Sequence, residues 1–149
     1  MRPFRFIKCL EAIKASDGSL VAPDGTGTTQ GTIKLDLINS KWTYSTTIAH
    51  TKTNAGCSFK DVTCDSSIGD EAKLILKSLA MLPDSLSGTG IDATYGGDQF
   101  YVNNGEDERC LIRGGGWGNG ANAGVFYSAL NNPRSDSNAI IGGRSASLS

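Results

Sequence analysis

The chain lacks most of the features that announce a function directly. Charge of one sign is missing: 14 Lys and Arg stand against 15 Asp and Glu, a formal net charge of −1, so the balance points neither to a nucleic acid nor to an anionic membrane. No run approaches the ~20 apolar residues of a membrane-spanning helix. From Met1 to Ser16 the apolar residues are broken by Lys8, Glu11 and Lys14, which argues against the continuous core of a cleaved secretory signal. The expectation is a soluble chain that is not exported that way. His50 is the single histidine, and the four cysteines, Cys9, Cys57, Cys64 and Cys110, show no zinc-knuckle spacing, so a zinc site is disfavoured. Four cysteines are also too few to replace a core in 149 residues. Cys57 and Cys64 bracket the loop CSFKDVTC and are the first pair to test for a disulfide, whereas Cys9 and Cys110 lie in apolar runs and read as buried thiols. There is no N-x-S/T sequon, which mildly favours a non-eukaryotic or intracellular origin.

What is abundant is glycine, with 19 residues against a hydrophobic share of 38%. Counted with the apolar set, this is ordinary for a globular chain, and the length suits one domain, residues 1–149, with one core. Phe4 to Ile13 allows strand or short helix. Ser16 to Gly31 is a loop in which Asp17-Gly18 and Asp24-Gly25 are turn dipeptides. Ile33, Leu35 and Leu37 alternate with Lys34 and Asp36 as in a half-buried strand, and Trp42 and Tyr44 anchor a neighbouring segment. The spacing predicts a helix over 70–82, with Asp70 as cap, Leu74, Ile75, Leu79 and Leu82 as the core stripe and Pro83 as the stop. A long ordered loop is expected from Asp84 to Gly97.

From Gln99 the composition shifts. No lysine follows Lys77, Asp136 is the only acidic residue beyond Glu108, and Arg113, Arg134 and Arg144 stand as isolated cations. Seven of the nine Asn lie between Asn103 and Asn138, and nine Gly between Gly105 and Gly143. Asn, Ser, Gly, Tyr and Trp without Lys or Glu make the composition of a binding face. On composition alone, a stack of glycine turns with Asn at positive φ is the slightly better account.

The segment from Phe100 to Ser147 carries separated blocks: YVNN (Tyr101 to Asn104), DERCLIRGG (Asp107 to Gly115), Trp117, AGVF (Ala123 to Phe126), RSDSN (Arg134 to Asn138) and IGGRSA (Ile141 to Ala146). In order and spacing these blocks resemble variable proteins diversified by retroelements, including phage tail and receptor-binding proteins of the formylglycine-generating-enzyme-like branch of the C-type lectin fold. A fainter echo reaches AHTKT near His50 and LPDS near Leu82. The resemblance implies an α+β C-type lectin-like domain with a small twisted antiparallel sheet, one or two helices and much irregular structure. Its variable ligand-binding region would be about residues 113–144. A cassette-encoded reverse transcriptase would be the gene-level partner, rewriting template adenines, for which Asn codons are informative. The implied variable, solvent-facing positions are Gly116, Gly118, Asn119, Ala121, Asn122, Tyr127, Ser128, Ala129, Asn131, Asn132, Asp136, Asn138 and Ala139. Arg113, Trp117, Phe126, Arg134 and Arg144 would be scaffold, the arginines tying irregular carbonyls or carboxylates such as Asp107. Trp117, Val125, Phe126, Leu130, Ile140 and Ile141 are the large apolar residues available to bury beneath the face. Gly143 departs from the family, where many relatives carry an aromatic residue.

The implied role is non-enzymatic attachment to a protein or surface ligand, on a virion or in a prokaryotic cytoplasm before assembly, with no cofactor, metal, nucleic acid or membrane insertion. A fixed binding module on the same fold is the alternative. A diverged formylglycine-generating oxidase is a third reading, disfavoured because Leu111 to Ser149 contains no cysteine to pair with Cys110. Cys57 with His50 as a nucleophilic pair has almost no specificity. Gly116, Gly118 and Ala121 match a dinucleotide-binding spacing without a surrounding βαβ pattern. Calcium-dependent sugar binding lacks carboxylates, since beyond Glu108 the chain offers only Asp136.

Overall fold

Alternation begins the structure where the sequence shows it. In a computed structural model that describes residues 10–24, 29–47, 52–84, 97–105, 109–133 and 135, Lys34–Ile38 forms strand β1 and Lys41–Ser45 forms β2. They pair antiparallel, with Leu35 opposite Tyr44 and Leu37 opposite Trp42. The link is Asn39-Ser40, both at positive φ (49° and 63°). Two left-handed residues in a two-residue loop match the right-handed twist of the strands. Leu35, Trp42 and Tyr44 are fully buried. Lys34 and Asp36, expected on a wet face, are buried too, because other segments cover that side. Lys34 Nζ donates to the carbonyls of Thr29 (3.1 Å) and Thr32 (3.3 Å). Asn104 Nδ2 donates to Leu35 O (3.0 Å) and Asp36 Oδ1 (3.1 Å).

The described residues contain two mixed sheets rather than one small antiparallel sheet. In the first, β1 and β2 are joined by β4 (Thr63–Cys64), which runs parallel to β2. The second contains β3 (Asn54–Ser58), β5 (Gln99–Asn103), β6 (Cys110–Gly114) and β7 (Gly124–Asn132), in the order β3-β5-β7-β6. The mixed pattern follows from this order. β6 leaves a one-strand gap beside β5, and β7 turns back into it, antiparallel to β6 and parallel to β5. Polar ties join the sheets. Trp42 Nε1 donates to Ala55 O of β3 (3.1 Å), while Asn104, holding β1 through Nδ2, also accepts the Thr53 amide at Oδ1 (2.7 Å). Phe59, in the 3-10 turn Phe59–Asp61, is buried against Phe100 and Phe126. Cys57, Cys64 and Cys110 are free thiols. Burial pushes Cys57 up and Cys64 up to about 11, so little thiolate exists at neutral pH.

Helix α1 spans Asp70–Ser78, shorter than the predicted 70–82. Asp70 is not the cap. Gly69 occupies that position, and its amide donates to Ala15 O at 2.7 Å. A Cβ on Gly69 would sit 2.1 Å from Ser16 O, so no larger residue permits this approach. The buried face is Ala72 and Leu76 with Ile75 packed beside them, whereas Leu74 is 61% exposed and Leu79 lies outside the core. The expected stripe is therefore rotated, because Ala72 supplies the close contact that apolar bulk alone does not reveal. Pro83 is not the stop either. Ala80 is left-handed (φ 53°), its amide returns to Lys77 O (2.9 Å) and the Met81 amide to Leu76 O (2.9 Å). This is the Schellman termination, usually built with glycine. Among the described residues no helix is long and apolar enough to cross a membrane. Phe4 to Cys9, His50 and residues 85–96 of the expected long loop lie outside the described residues, while Asp17-Gly18 does form a turn, with Lys14 N donating to Ser19 O (2.8 Å).

Two outcomes follow. Replacing Ala80 by Gly relieves a left-handed Cβ and stabilises the protein by about 0.5–1 kcal/mol, read as a higher urea midpoint at unchanged slope; a lower midpoint would contradict the assignment of this terminus. The second outcome concerns Asp65. Burial pushes its carboxyl up, but hydrogen bonds from Ser45 Oγ, Ser67 Oγ and the Ser67 amide outweigh it, and the net value falls below the ordinary 3.8. A folded value below the unfolded one contributes stability that is complete above the unfolded value and lost as pH falls through the folded one. Ser67→Ala is therefore less stable than wild type at neutral pH, and its deficit shrinks in acid. Urea melts at both pH values test this, and a deficit independent of pH counts against it.

Candidate functional site

The charge-free stretch between Arg113 and Arg134 builds an exposed turn at one end of the second sheet. β6 ends at Gly114, the 3-10 turn Trp117–Asn122 follows, and β7 starts at Gly124 opposite Gly114. The turn is held from within. Asn119 Oδ1 accepts the Gly116 amide (2.6 Å), the Asn119 amide returns to Gly116 O (2.9 Å), and Asn119 Nδ2 lies 3.5 Å from the Tyr127 hydroxyl. Gly120 breaks the turn at φ 53°, ψ −131°, a conformation open essentially to glycine alone.

Asp98 supports the turn from behind. Its carboxylate accepts the Phe126 amide (2.8 Å) and its carbonyl accepts the Phe59 amide (2.7 Å). Phe126 stacks on Phe59 with ring centres 5.4 Å apart, so the displayed surface is fastened to the core. Sequence reasoning missed Asp98; the available signal was a single carboxylate between a Gly-Gly pair and a strand.

β7 changes character along its length. Arg113 pairs with Ser128, yet the next residue of β6, Gly114, pairs with Gly124, so Val125 to Tyr127 bulge out of register. Val125 is 82% exposed. From Tyr127, the last residue of the bulge, through Ser128, Ala129 and Leu130 the strand is buried. The expectation of solvent-facing Tyr127, Ser128 and Ala129 is corrected here. Their strand lies between β5 and β6 and is covered on both faces, so alternation there marks no wet side. Leu130 is buried as expected, and Phe126 is packed against the core. Trp117 and Val125 depart the other way. Both were expected beneath the surface, but Trp117 is 93% exposed, because turn and bulge carry them past the ends of the neighbouring strands.

Of the remaining positions, Gly118, Ala121 and Asn122 are exposed, and Gly116, Asn119, Asn131 and Asn132 are half-buried. The structure thus brings Gly116, Gly118, Asn119, Ala121 and Asn122 together with Trp117 on one turn and leaves Asn131 and Asn132 at the far end of β7. Asp136, Asn138, Ala139, Ile140, Ile141, Arg134, Arg144 and Asp107 lie outside the described residues. Arg113 has a positioning geometry: Nη2 donates to Leu79 O (2.6 Å), Nη1 to Ala80 O (2.9 Å) and to Ser128 Oγ (2.7 Å). Burial lowers its pKa, opposed by Tyr44.

Among the described residues no cluster of three or more His, Cys, Asp or Glu is placed to hold a metal ion. The turn's groups are amides, bare backbone and apolar surface, which recognise a ligand by hydrogen bonding and contact. The chain matches no protein-family model, and the search of curated proteins gives no match.

The two glycines that bound this surface should respond differently. Nothing lies within 4 Å of a Cβ built on Gly118, whereas one on Gly124 would fall 2.0 Å from Asp98 Oδ1. Gly118→Tyr is expected to leave the melting temperature nearly unchanged. Gly124→Tyr is expected to cost about 3 kcal/mol or more, by collision and by loss of the carboxylate that holds β7. Equal thermal loss in both variants would show that the division is wrong.

Proposed function

We propose that the protein is a non-enzymatic ligand-binding domain of the C-type lectin fold, of the retroelement-diversified kind, serving phage, virus or cell-surface attachment to a variable target. The observation that carries this reading is an exposed, charge-free turn, Trp117–Asn122, anchored by backbone and buried contacts that do not use its outermost side chains. The resemblance of the blocks from Tyr101 to Ala146 supports the family reading, and the small α+β architecture is compatible with it. Gly118, Ala121 and Asn122 point into solvent and are the positions where substitution changes the surface alone, while Gly116 and Asn119 combine exposure with a role in holding the turn. Shape and hydrogen bonding do the recognition, and no covalent step is involved. The attachment role places the chain on a virion tail or surface, or in the host cytoplasm before assembly.

A displayed library randomised at Gly118, Ala121 and Asn122 tests the reading. Most members are expected to melt within about 3 °C of the parent, since surface changes away from packed groups cost little, and selected binders should differ in target according to these three positions. General loss of folding would overturn the proposal. In the source genome, the diversification claim requires an imperfect repeat of the coding segment, differing at adenines, beside a reverse transcriptase gene; without that repeat only a fixed binding module remains.

A further inference from the structure

We infer that Trp117 and the amides beside it form a calcium-independent site for a neutral sugar, a step that rests on the binding role proposed for the same turn. Trp117 is 93% exposed and Val125, on the adjoining bulge, 82%. No residue between Arg113 and Arg134 is charged, and no carboxylate side chain occurs between Glu108 and Asp136. A phosphate or carboxylate ligand would find no cation on this turn, and the neighbouring carboxylate, Asp98, already accepts the Phe126 amide, so charge complementarity favours an uncharged ligand. Among the described residues calcium would find beside the turn only that one engaged carboxylate, too few for its ligand shell.

Within uncharged chemistry, the turn offers two kinds of contact together. The face of an indole is electron-rich and suits the weakly positive C–H face of a pyranose ring. The hydroxyl rim of such a ring both donates and accepts, and so does each carboxamide. Asn122 is exposed, and Asn119 is fixed through Gly116 with its Nδ2 toward the Tyr127 hydroxyl. Gly118 and Gly120 have no neighbour within 4 Å of an added Cβ, so ring substituents can approach the backbone. A wholly apolar protein cleft would cover the indole but strand the exposed Asn122 carboxamide, a cost that a polyol avoids. Val125 extends the apolar strip beside the indole.

The protein contains two tryptophans, of which Trp42 is fully buried, so quenchable emission reports Trp117. Neutral gluco-, galacto- and manno-configured oligosaccharides are titrated in the presence of EDTA. With at least one series, the exposed emission should shift to the blue and gain protection from acrylamide. By calorimetry Trp117→Ala should bind that sugar about tenfold more weakly or worse without a lower melting temperature, and Trp117→Phe should retain part of the affinity. The inference is overturned if no series protects at millimolar concentration, if protection requires calcium, if only a protein ligand protects, or if Trp117→Ala binds as tightly as wild type. A folded, target-selective library with no sugar response removes this inference alone, whereas unfolding of the library removes the binding proposal itself.

Discussion

Three consecutive carbonyls at the exit of α1 govern how the parts of this chain fit together. A helix leaves its last carbonyls without intrahelical donors, and here those of Leu79, Ala80 and Met81 lie against the sheets. Arg113 of β6 takes the first two, and the Tyr44 hydroxyl of β2 takes the third at 2.8 Å. One element thereby sets both sheets against it. The arrangement suits its charges, since a cation at a helix C-terminus meets the negative end of the macrodipole. Burial pushes Tyr44 far above its ordinary value, so it stays a neutral donor. Because Arg113 also holds Ser128, the same fork clamps the middle of β7, directly after the bulge that displays Val125.

The legible part of the fold was wherever local pattern and tertiary burial agree. Ile33, Leu35 and Leu37 alternate and become the core side of β1; Trp42 and Tyr44, too large to leave exposed in a small chain, are fully buried. The helix was visible for the same reason, but its phase and end were not. Leu74 and Leu79 are better apolar residues than Ala72, yet Ala72 is buried because the turn from Ala15 to Gly18 comes close to the start of α1, with Gly69 bonded to Ala15 and a Cβ on Gly18 falling 3.4 Å from the Ala72 nitrogen. Its end depends on an alanine in a left-handed conformation that composition assigns to the helix interior. The hairpin at Asn39-Ser40 was not anticipated: Asn was the available signal, but Ser is an uncommon second member of such a turn.

The site divides along the same line. Residues 118–122 were legible as a surface turn because Gly and Asn carry no apolar bulk and favour turns, and the structure places Gly118, Ala121 and Asn122 in solvent. Tyr127, Ser128 and Ala129 were not legible, since their burial depends on β7 filling the gap between β5 and β6, a pairing of segments about 30 residues apart that leaves no local trace. Trp117 and Val125 are the inverse case. Apolar residues in a short chain read as core, and only the register jump between Arg113 and Gly114 reveals that the chain carries them outward.

That jump also explains how this surface can tolerate change. A hairpin of uniform register would couple each loop side chain to the alternation of both strands, so a new residue in the loop would disturb the sheet. The bulge interrupts that coupling. Register is set below it by Arg113 and Ser128, and above it by Gly114 and Gly124, with Asp98 fixing the Phe126 amide between them. The turn is thus closed by backbone geometry and by one carboxylate from another strand segment. On the proposed reading, this separation is the requirement for diversification: the energy that fixes the loop lies in Asp98, Gly120, Asn119 and the Phe59–Phe126 stack, and the contact surface lies in residues those groups do not need.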